Sequence, residues 1–215
     1  MSLSAWPVDP GLIVPFLAAI LLIELTPGPN MGYLAALSVV HGRRAGFYAV
    51  AGVTCGLAVY MFAAVFGLTE AFRLYRPLYE LLRWAGVAYL IWLAWDAWRA
   101  ADGHDPGADL LSRPWALFQR GFLANILNPK AALFYVTLLP GFIAVDHGPP
   151  ARQALILGGL HVLVSIMIHG SIVLSADKAG RLLARVASSA WVSRGLAISI
   201  LVVAIWLAWE TRGRG

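Results

Sequence analysis

The sequence predicts an all-α integral membrane protein of six transmembrane helices, built as two inverted three-helix repeats with broken first and fourth helices. Three observations carry that prediction. Hydrophobic residues make up 60% of the 215-residue chain and charged ones only 13%, with mean hydropathy +0.74. An ordinary soluble domain carries about 25% charged residues, so this much apolar surface requires lipid as its solvent. Six stretches approach the ~20 apolar residues that a spanning helix needs. Two of them are interrupted by proline, glycine and polar residues, which membrane helices tolerate where the freed backbone is buried in protein or faces a cavity.

The first stretch covers about residues 12–40 and is broken at Thr26, Pro27, Gly28, Pro29 and Asn30. The second and third cover about residues 46–68 and 78–98. A polar connector, 99–114, follows with Asp102, His104, Asp105 and Asp109. The fourth stretch, about 115–145, is broken at Asn128, Pro129 and Lys130. The fifth covers about 151–175 and the sixth about 191–210. Between the last two, Lys178, Arg181 and Arg185 recur at i, i+3 and i+7 with Leu182, Leu183 and Val186 between them. That spacing predicts a short amphipathic surface helix over 177–189. The whole chain, 1–215, reads as one transmembrane domain with pseudo-repeats at about 11–98 and 115–210. Each half has a broken helix, a His-Gly turn (His41-Gly42, His147-Gly148), a Gly-rich helix and a helix rich in Trp. Three spans per half reverse the second half in the membrane, the inverted-repeat plan of many secondary transporters.

Sixteen Lys and Arg against eleven Asp and Glu give a net charge of +5. These bases lie in short loops between apolar runs, where they orient the chain in an anionic membrane. No basic stripe interleaved with aromatics points to nucleic acid. Arg43, Arg44, Arg99, Arg113, Arg120, Lys178, Arg181, Arg185 and Arg194 flank one side. Arg73, Arg76, Arg83, Arg152, Arg212 and Arg214 flank the other, which puts both termini outside. Trp92, Trp95, Trp98, Trp115, Trp191, Trp206 and Trp209 sit at the span ends, where indole satisfies both its apolar body and its N–H. The N-terminal residues 1–11 carry no Lys or Arg, so the first apolar run reads as a retained anchor. Cys55 is the only cysteine, which excludes an intramolecular disulfide and a Cys-x-x-Cys centre. A membrane enzyme or redox carrier would need a nucleophile, a metal set or paired thiols, and the chain spells none. A non-transporting scaffold has no reason to hold a buried acid and base.

Proline removes an N–H and pushes away the carbonyl four residues back. Pro27, Pro29 and Pro129 are therefore expected to free the carbonyls of Ile23, Leu25 and Asn125, beside newly exposed helix N-termini. A zwitterion needs both kinds of partner, so residues 26–30 with Asn125, Asn128, Pro129 and Lys130 form the candidate substrate site. Asn125 and Asn128 also fit as backbone caps. An intramembrane lysine costs about 2.5–3.5 kcal/mol on insertion scales and faces a cavity or a partner. Lys130 thus either binds a substrate carboxylate or pairs with Glu24. Glu24, the acid deepest in a span, is the first proton-coupling candidate, with a salt bridge to Lys130 as the alternative. His161, Ser165 and His169 share one helix face. They read either as a proton relay, making His161 and His169 further candidates, or as interhelical hydrogen bonding. No metal-ligand set is completed. Asp96 precedes Arg99 by three residues and is expected to pair with it, and Gly52-x-x-x-Gly56 is expected to be a close-packing face.

Four segments resemble the LysE/RhtB family of amino-acid exporters. They are Leu25-Thr26-Pro27-Gly28-Pro29-Asn30, His41-Gly42-Arg43-Arg44-Ala45-Gly46, Leu82-Arg83-Trp84-Ala85-Gly86-Val87-Ala88-Tyr89-Leu90, and the run from Phe118 to Asn128-Pro129-Lys130. The resemblance implies export of amino acids, neutral or cationic, across the bacterial plasma membrane by a multi-pass protein, in exchange with protons and without ATP or organic cofactor. It also implies self-association into a homo-oligomer, and it includes a cadmium-transporting branch as the alternative cargo. Some relatives place an acid midway along the fifth helix; here that region reads Val164-Ser165-Ile166. Glu24, conversely, stands where many relatives have no acid, so no coupling residue is carried over from the family.

Overall fold

The structure, a computed structural model, describes residues 6–67, 75–101, 113–183 and 189–210. These are helical throughout, with no strand among the described residues. The expected polar connector falls mostly in 102–112, and Arg73, Arg185, Arg212 and Arg214 also lie outside the described residues.

Helix α1, Pro10–Leu25, opens with Pro10 at its first position and with the Asp9 side chain accepting from Gly11 N at 2.8 Å. Both features satisfy a helix start. At about 24 Å its 16 residues fall short of a bilayer core. Extended backbone at Thr26 and Gly28 interrupts it, and α2, Pro29–Val65, follows.

Gly42 lies inside α2 at φ 79°, the left-handed region that glycine enters without cost. A Cβ on Gly46 would sit 2.3 Å from Ser38 Oγ. Eight residues along a straight helix are about 12 Å apart, so the chain folds back at Gly42. The expected His-Gly turn is therefore real, and it divides α2 into arms 29–41 and 43–65. Asp177, from a distant helix, accepts from Arg43 N at 3.2 Å and caps the second arm.

Helix α3 is Arg76–Ala101, α4 is Pro114–Ile126 and α5 is Pro129–Leu133. Beyond α5 the chain continues as a π turn, Phe134–Leu138, and a 3-10 turn, Leu139–Phe142. The segment pair across the Asn128 break bends by 51°. Helix α6 is Pro150–Leu183 and α7 is Ser189–Glu210. Helix α6 runs on through residues 177–183, so no separate surface helix begins at Asp177. Asp177 binds its end to the start of the second arm of α2, and Gly180 packs it on the first arm, where a Cβ would meet Val39 O at 2.3 Å. By length and composition, α2, α6 and the bent α4–α5 pair qualify as membrane spans among the described residues.

Helices α4 and α6 clasp α2 from two sides, and α3 packs on α7. Residues 49, 56 and 60 of α2 meet 121, 125 and 126 in ascending order, so its second arm runs parallel to α4. Residues 46 and 61 meet 173 and 158, so the same arm runs antiparallel to α6. Small residues allow this. A Cβ on Gly52 would lie 2.0 Å from Phe118 O, and one on Gly121 would lie 2.1 Å from Ala49 O. The Gly52-x-x-x-Gly56 face is the close-packing surface its spacing predicts. Gly52→Val, lodging three carbons against backbone, is expected to lower the detergent melting temperature or prevent recovery of folded protein. An unchanged melting temperature would contradict this packing.

The surface is the inverse of a soluble protein's. Leu22, Trp95 and Val202 are 70%, 62% and 58% exposed, whereas Glu24, Asn30, Asn125 and His161 are buried. Lipid explains the first group, and an internal polar site the second. Arg120 pairs with Asp96 and lies over the Trp92 ring, 5.1 Å from its centroid. Asp96 thus takes its partner from α4 rather than from Arg99. The Arg120 and Asp96 side chains are only 20% and 26% exposed, whereas Arg99 is exposed.

Candidate functional site

The two breaks meet. Asn30, in the first turn of α2, donates from Nδ2 to Asn125 Oδ1 at 2.7 Å, across 95 residues of sequence. Lys130, just inside α5, donates from Nζ to the carbonyl of Thr26 at 2.7 Å. That carbonyl closes the C-terminal end of α1, where the helix dipole favours a cation. The polar pieces of one break are therefore held by the polar pieces of the other.

Between them lies a cavity lined by Glu24, Gly28, Asn30, Asn125, Asn128, Lys130, His161, Ser165 and His169, with Ile23, Met31, Leu57, Ala131 and Phe134 as apolar wall. The predicted residues divide cleanly. Glu24, Gly28, Asn30, Asn125, Asn128, Lys130, His161 and His169 reach the cavity. Thr26, Pro27, Pro29 and Pro129 shape the breaks without lining it. The Thr26 hydroxyl bonds back to Leu22 O at 2.7 Å, and Pro27 is exposed.

Two of the three carbonyls expected to be free are recaptured by tightened turns. Ile23 O accepts from Thr26 N at 3.2 Å, and Asn125 O accepts from Asn128 N at 3.0 Å. Such 3-10-type bonds are one of the ways in which helix ends satisfy their free groups. Asn128 is itself a cap, its Oδ1 accepting from Lys130 N at 3.0 Å.

Glu24 and Lys130 share the cavity but form no direct ion pair. The carboxylate faces α6 instead. Its Oε1 is 3.0 Å from His161 Nε2 and its Oε2 is 3.7 Å from His169 Nε2. His169 Nδ1 lies 3.0 Å from Ser165 Oγ. The i, i+4, i+8 face of α6 is thus a row of polar groups aimed at one carboxylate. An ionised carboxylate only accepts, so Nε2 of His161 carries the proton towards it. Its Nδ1 is buried with no hydrogen-bond partner.

Two more polar atoms are unpaired here, Asn30 Oδ1 and Asn125 Nδ2. Exchanging O and N in both amides leaves the pattern the same, one acceptor and one donor. Buried polar atoms are seldom left so. The cavity volume is about 20 Å³, room for about one water molecule, whereas ligand pockets span about 300–1,000 Å³. The groups that line the cavity leave no room for a ligand.

Phe134 and Tyr135 were not legible as site residues. Phe134 packs on His161 with centroids 3.9 Å apart, and Tyr135 stands 5.5 Å away. Both begin the π turn, which rotates side chains out of α-helical phase and is frequent at functional sites. The sequence signal for it is only the proximity of Pro140. Among the described residues, no group of three or more His, Cys, Asp or Glu side chains is placed to hold a metal ion.

Comparison with known proteins identifies the family. The family model "LysE type translocator" matches residues 21–211. A homoserine/homoserine lactone efflux protein of Salmonella typhimurium is 36% identical over 149 residues, covering 68% of this chain and 71% of that protein. A leucine efflux protein of Klebsiella pneumoniae is 31% identical over 164 residues, covering 75% and 77%, and one of Enterobacter is 32% identical over 158 residues, covering 71% and 74%. No solved structure matches the chain. The matched segment runs from the first break to the last helix and so contains the whole cavity. The chain belongs to the LysE-type translocator family, as a multi-pass transport protein of the bacterial inner membrane and not an enzyme.

Proposed function

We propose that the cavity between the two breaks is the substrate site of a secondary-active exporter of amino acids with uncharged side chains. The observation that carries this is the meeting of both helix breaks around one buried set of charges and amides. Lys130 uses one of its three N–H groups on Thr26 O, leaving two for a substrate carboxylate. The Asn125 amide adds a donor; the Asn30 carbonyl and Glu24 are acceptors for an ammonium. Homoserine and leucine, named for the relatives, share only that zwitterion and an uncharged side chain.

In this reading six spans cross the membrane: α1 with arm 29–41, arm 43–65, α3, α4 with α5 and its following turns, α6, and α7. The fold-back at Gly42 and the helix directions support it, since alternating spans make the second and fourth parallel and the second and fifth antiparallel. The breaks then enter from opposite sides as an inverted repeat, and the closed cavity opens to either side as the halves rock. The arginine-rich ends, including Arg43 and Arg44, face the cytoplasm. Glu24, His161 and His169 exchange the proton that drives export.

The test is efflux from cells loaded with a dipeptide panel, repeated with purified protein in vesicles. Export of leucine- or homoserine-like compounds, with little of lysine or aspartate, is the expected result. Vesicles that move no amino acid, from protein that copurifies with a fixed partner, would mark a scaffold instead.

A further inference from the structure

The transport site leaves Arg43-Arg44 without a task. They begin the second arm of α2, just past the Gly42 turn, and Arg43 N is already capped by Asp177. Asp177 is otherwise engaged, its Oδ2 2.6 Å from Arg181 Nη2. Among the described residues, no ion pair or hydrogen bond holds either the Arg43 or the Arg44 guanidinium. Both instead line a concavity of about 530 Å³, whose remaining walls are Phe47, Tyr48 and Leu174. It lies between α2 and α6, because Phe47 and Leu174 come from those two helices and Phe47 packs beside Gly170. Phe47 and Leu174 are 43% and 49% exposed, so the concavity opens on the outer surface of the bundle and not on the transport cavity.

We propose that this concavity binds an anionic phospholipid. The shape and charge divide as such a lipid does. Two guanidinium groups at the helix end meet a phosphate with paired N–H donors, which lysine's point charge does not match. Phe47 and Leu174 continue down the same groove as apolar contact for an acyl chain, and the phenol of Tyr48 stands at the headgroup level where aromatic residues collect. A soluble anion uses the arginines but leaves the apolar wall in place with nothing to cover it. Basic pockets between membrane helices on the cytoplasmic side are where anionic headgroups lodge. The site requires only that the chain sits in a membrane, so it stands whether or not the substrate assignment does.

Native mass spectrometry of the delipidated full-length protein, titrated with phosphatidylglycerol or phosphatidylcholine of identical acyl chains, tests this. One phosphatidylglycerol is expected to be held about tenfold more tightly than phosphatidylcholine, on the scale of juxtamembrane arginine–lipid attraction. Arg43→Gln with Arg44→Gln is expected to bring that ratio to parity. Equal retention by the unaltered protein, or an unchanged ratio in the double variant, overturns the proposal. Loss of the bound lipid to millimolar inorganic phosphate also overturns it, since the site would then be for a soluble anion. Should the double variant not fold, Leu174→Trp fills the groove while leaving both arginines, and retention equal to that of the unaltered protein would overturn the proposal equally.

Discussion

Lys130→Ala is expected to lower amino-acid efflux by about 10–100-fold, the worth of one or two hydrogen bonds to a charged group. The protein should still insert and fold. Its ammonium donates to Thr26 O, but Lys130 is only half-buried and Thr26 is exposed, so the abandoned carbonyl costs about 1 kcal/mol and not the penalty of a sealed interior. The loss should appear mainly as a raised KM, since the carboxylate contact is made on binding. A structural role predicts the reverse, a lowered melting temperature with unchanged KM. Gly28→Leu makes the same argument from space. A Cβ there would stand 3.5 Å from both Cδ and Nζ of Lys130, so alanine fits by ordinary contact while leucine fills the cavity. Efflux assays at matched membrane levels check both substitutions, and normal export by either well-expressed variant would remove this cavity from the transport path.

The sequence placed both breaks because their causes are covalent. Proline without an N–H and glycine without a Cβ act wherever they occur, and they act the same way in the structure. The fold-back at Gly42 was legible for the same reason. What a side chain pairs with was less legible. Asp96 has Arg99 one turn away on its own helix, yet it binds Arg120 from α4. Glu24 had a single intramembrane cation to expect as a partner, yet it meets two imidazoles 137 and 145 residues later. Local spacing gives the face on which a residue lies, as with His161, Ser165 and His169, but not the element that face turns towards. That depends on the register between helices. Here close-packed glycines set it: the spacing of Gly52 and Gly56 marks a packing face, but not that Phe118 lies against it, nor that Gly121 and Gly180 meet Ala49 and Val39. The π turn at Phe134–Leu138 escaped for a related reason: no residue type requires it, nearby Pro140 does not single it out, and the contacts of Phe134 and Tyr135 with His161 come from a distant helix.

Glu24→Gln is expected to uncouple export from the proton gradient. In proteoliposomes with an imposed pH difference, uphill movement of labelled amino acid should fall to the level seen without a gradient. Exchange between equal amino-acid pools at symmetric pH should persist. The substitution keeps the side chain's size and one oxygen, so the contact with His161 Nε2 at 3.0 Å survives and the cavity keeps its shape. It removes the one group able to shed and regain a proton between two imidazoles. Every charged or titratable neighbour is then unchanged: Lys130 from α5, Tyr135 from the π turn, and His161 and His169 from α6. His161→Asn tests the other end of the chain. Its Nδ1 is buried without a hydrogen-bond partner, and an amide in its place holds Glu24 but relays nothing. Both variants should therefore share the phenotype of exchange without concentration. Full gradient-driven export by the glutamine variant would leave the Glu24–His161–His169 cluster as a structural clasp between α1 and α6, and the coupling proton would have to travel elsewhere.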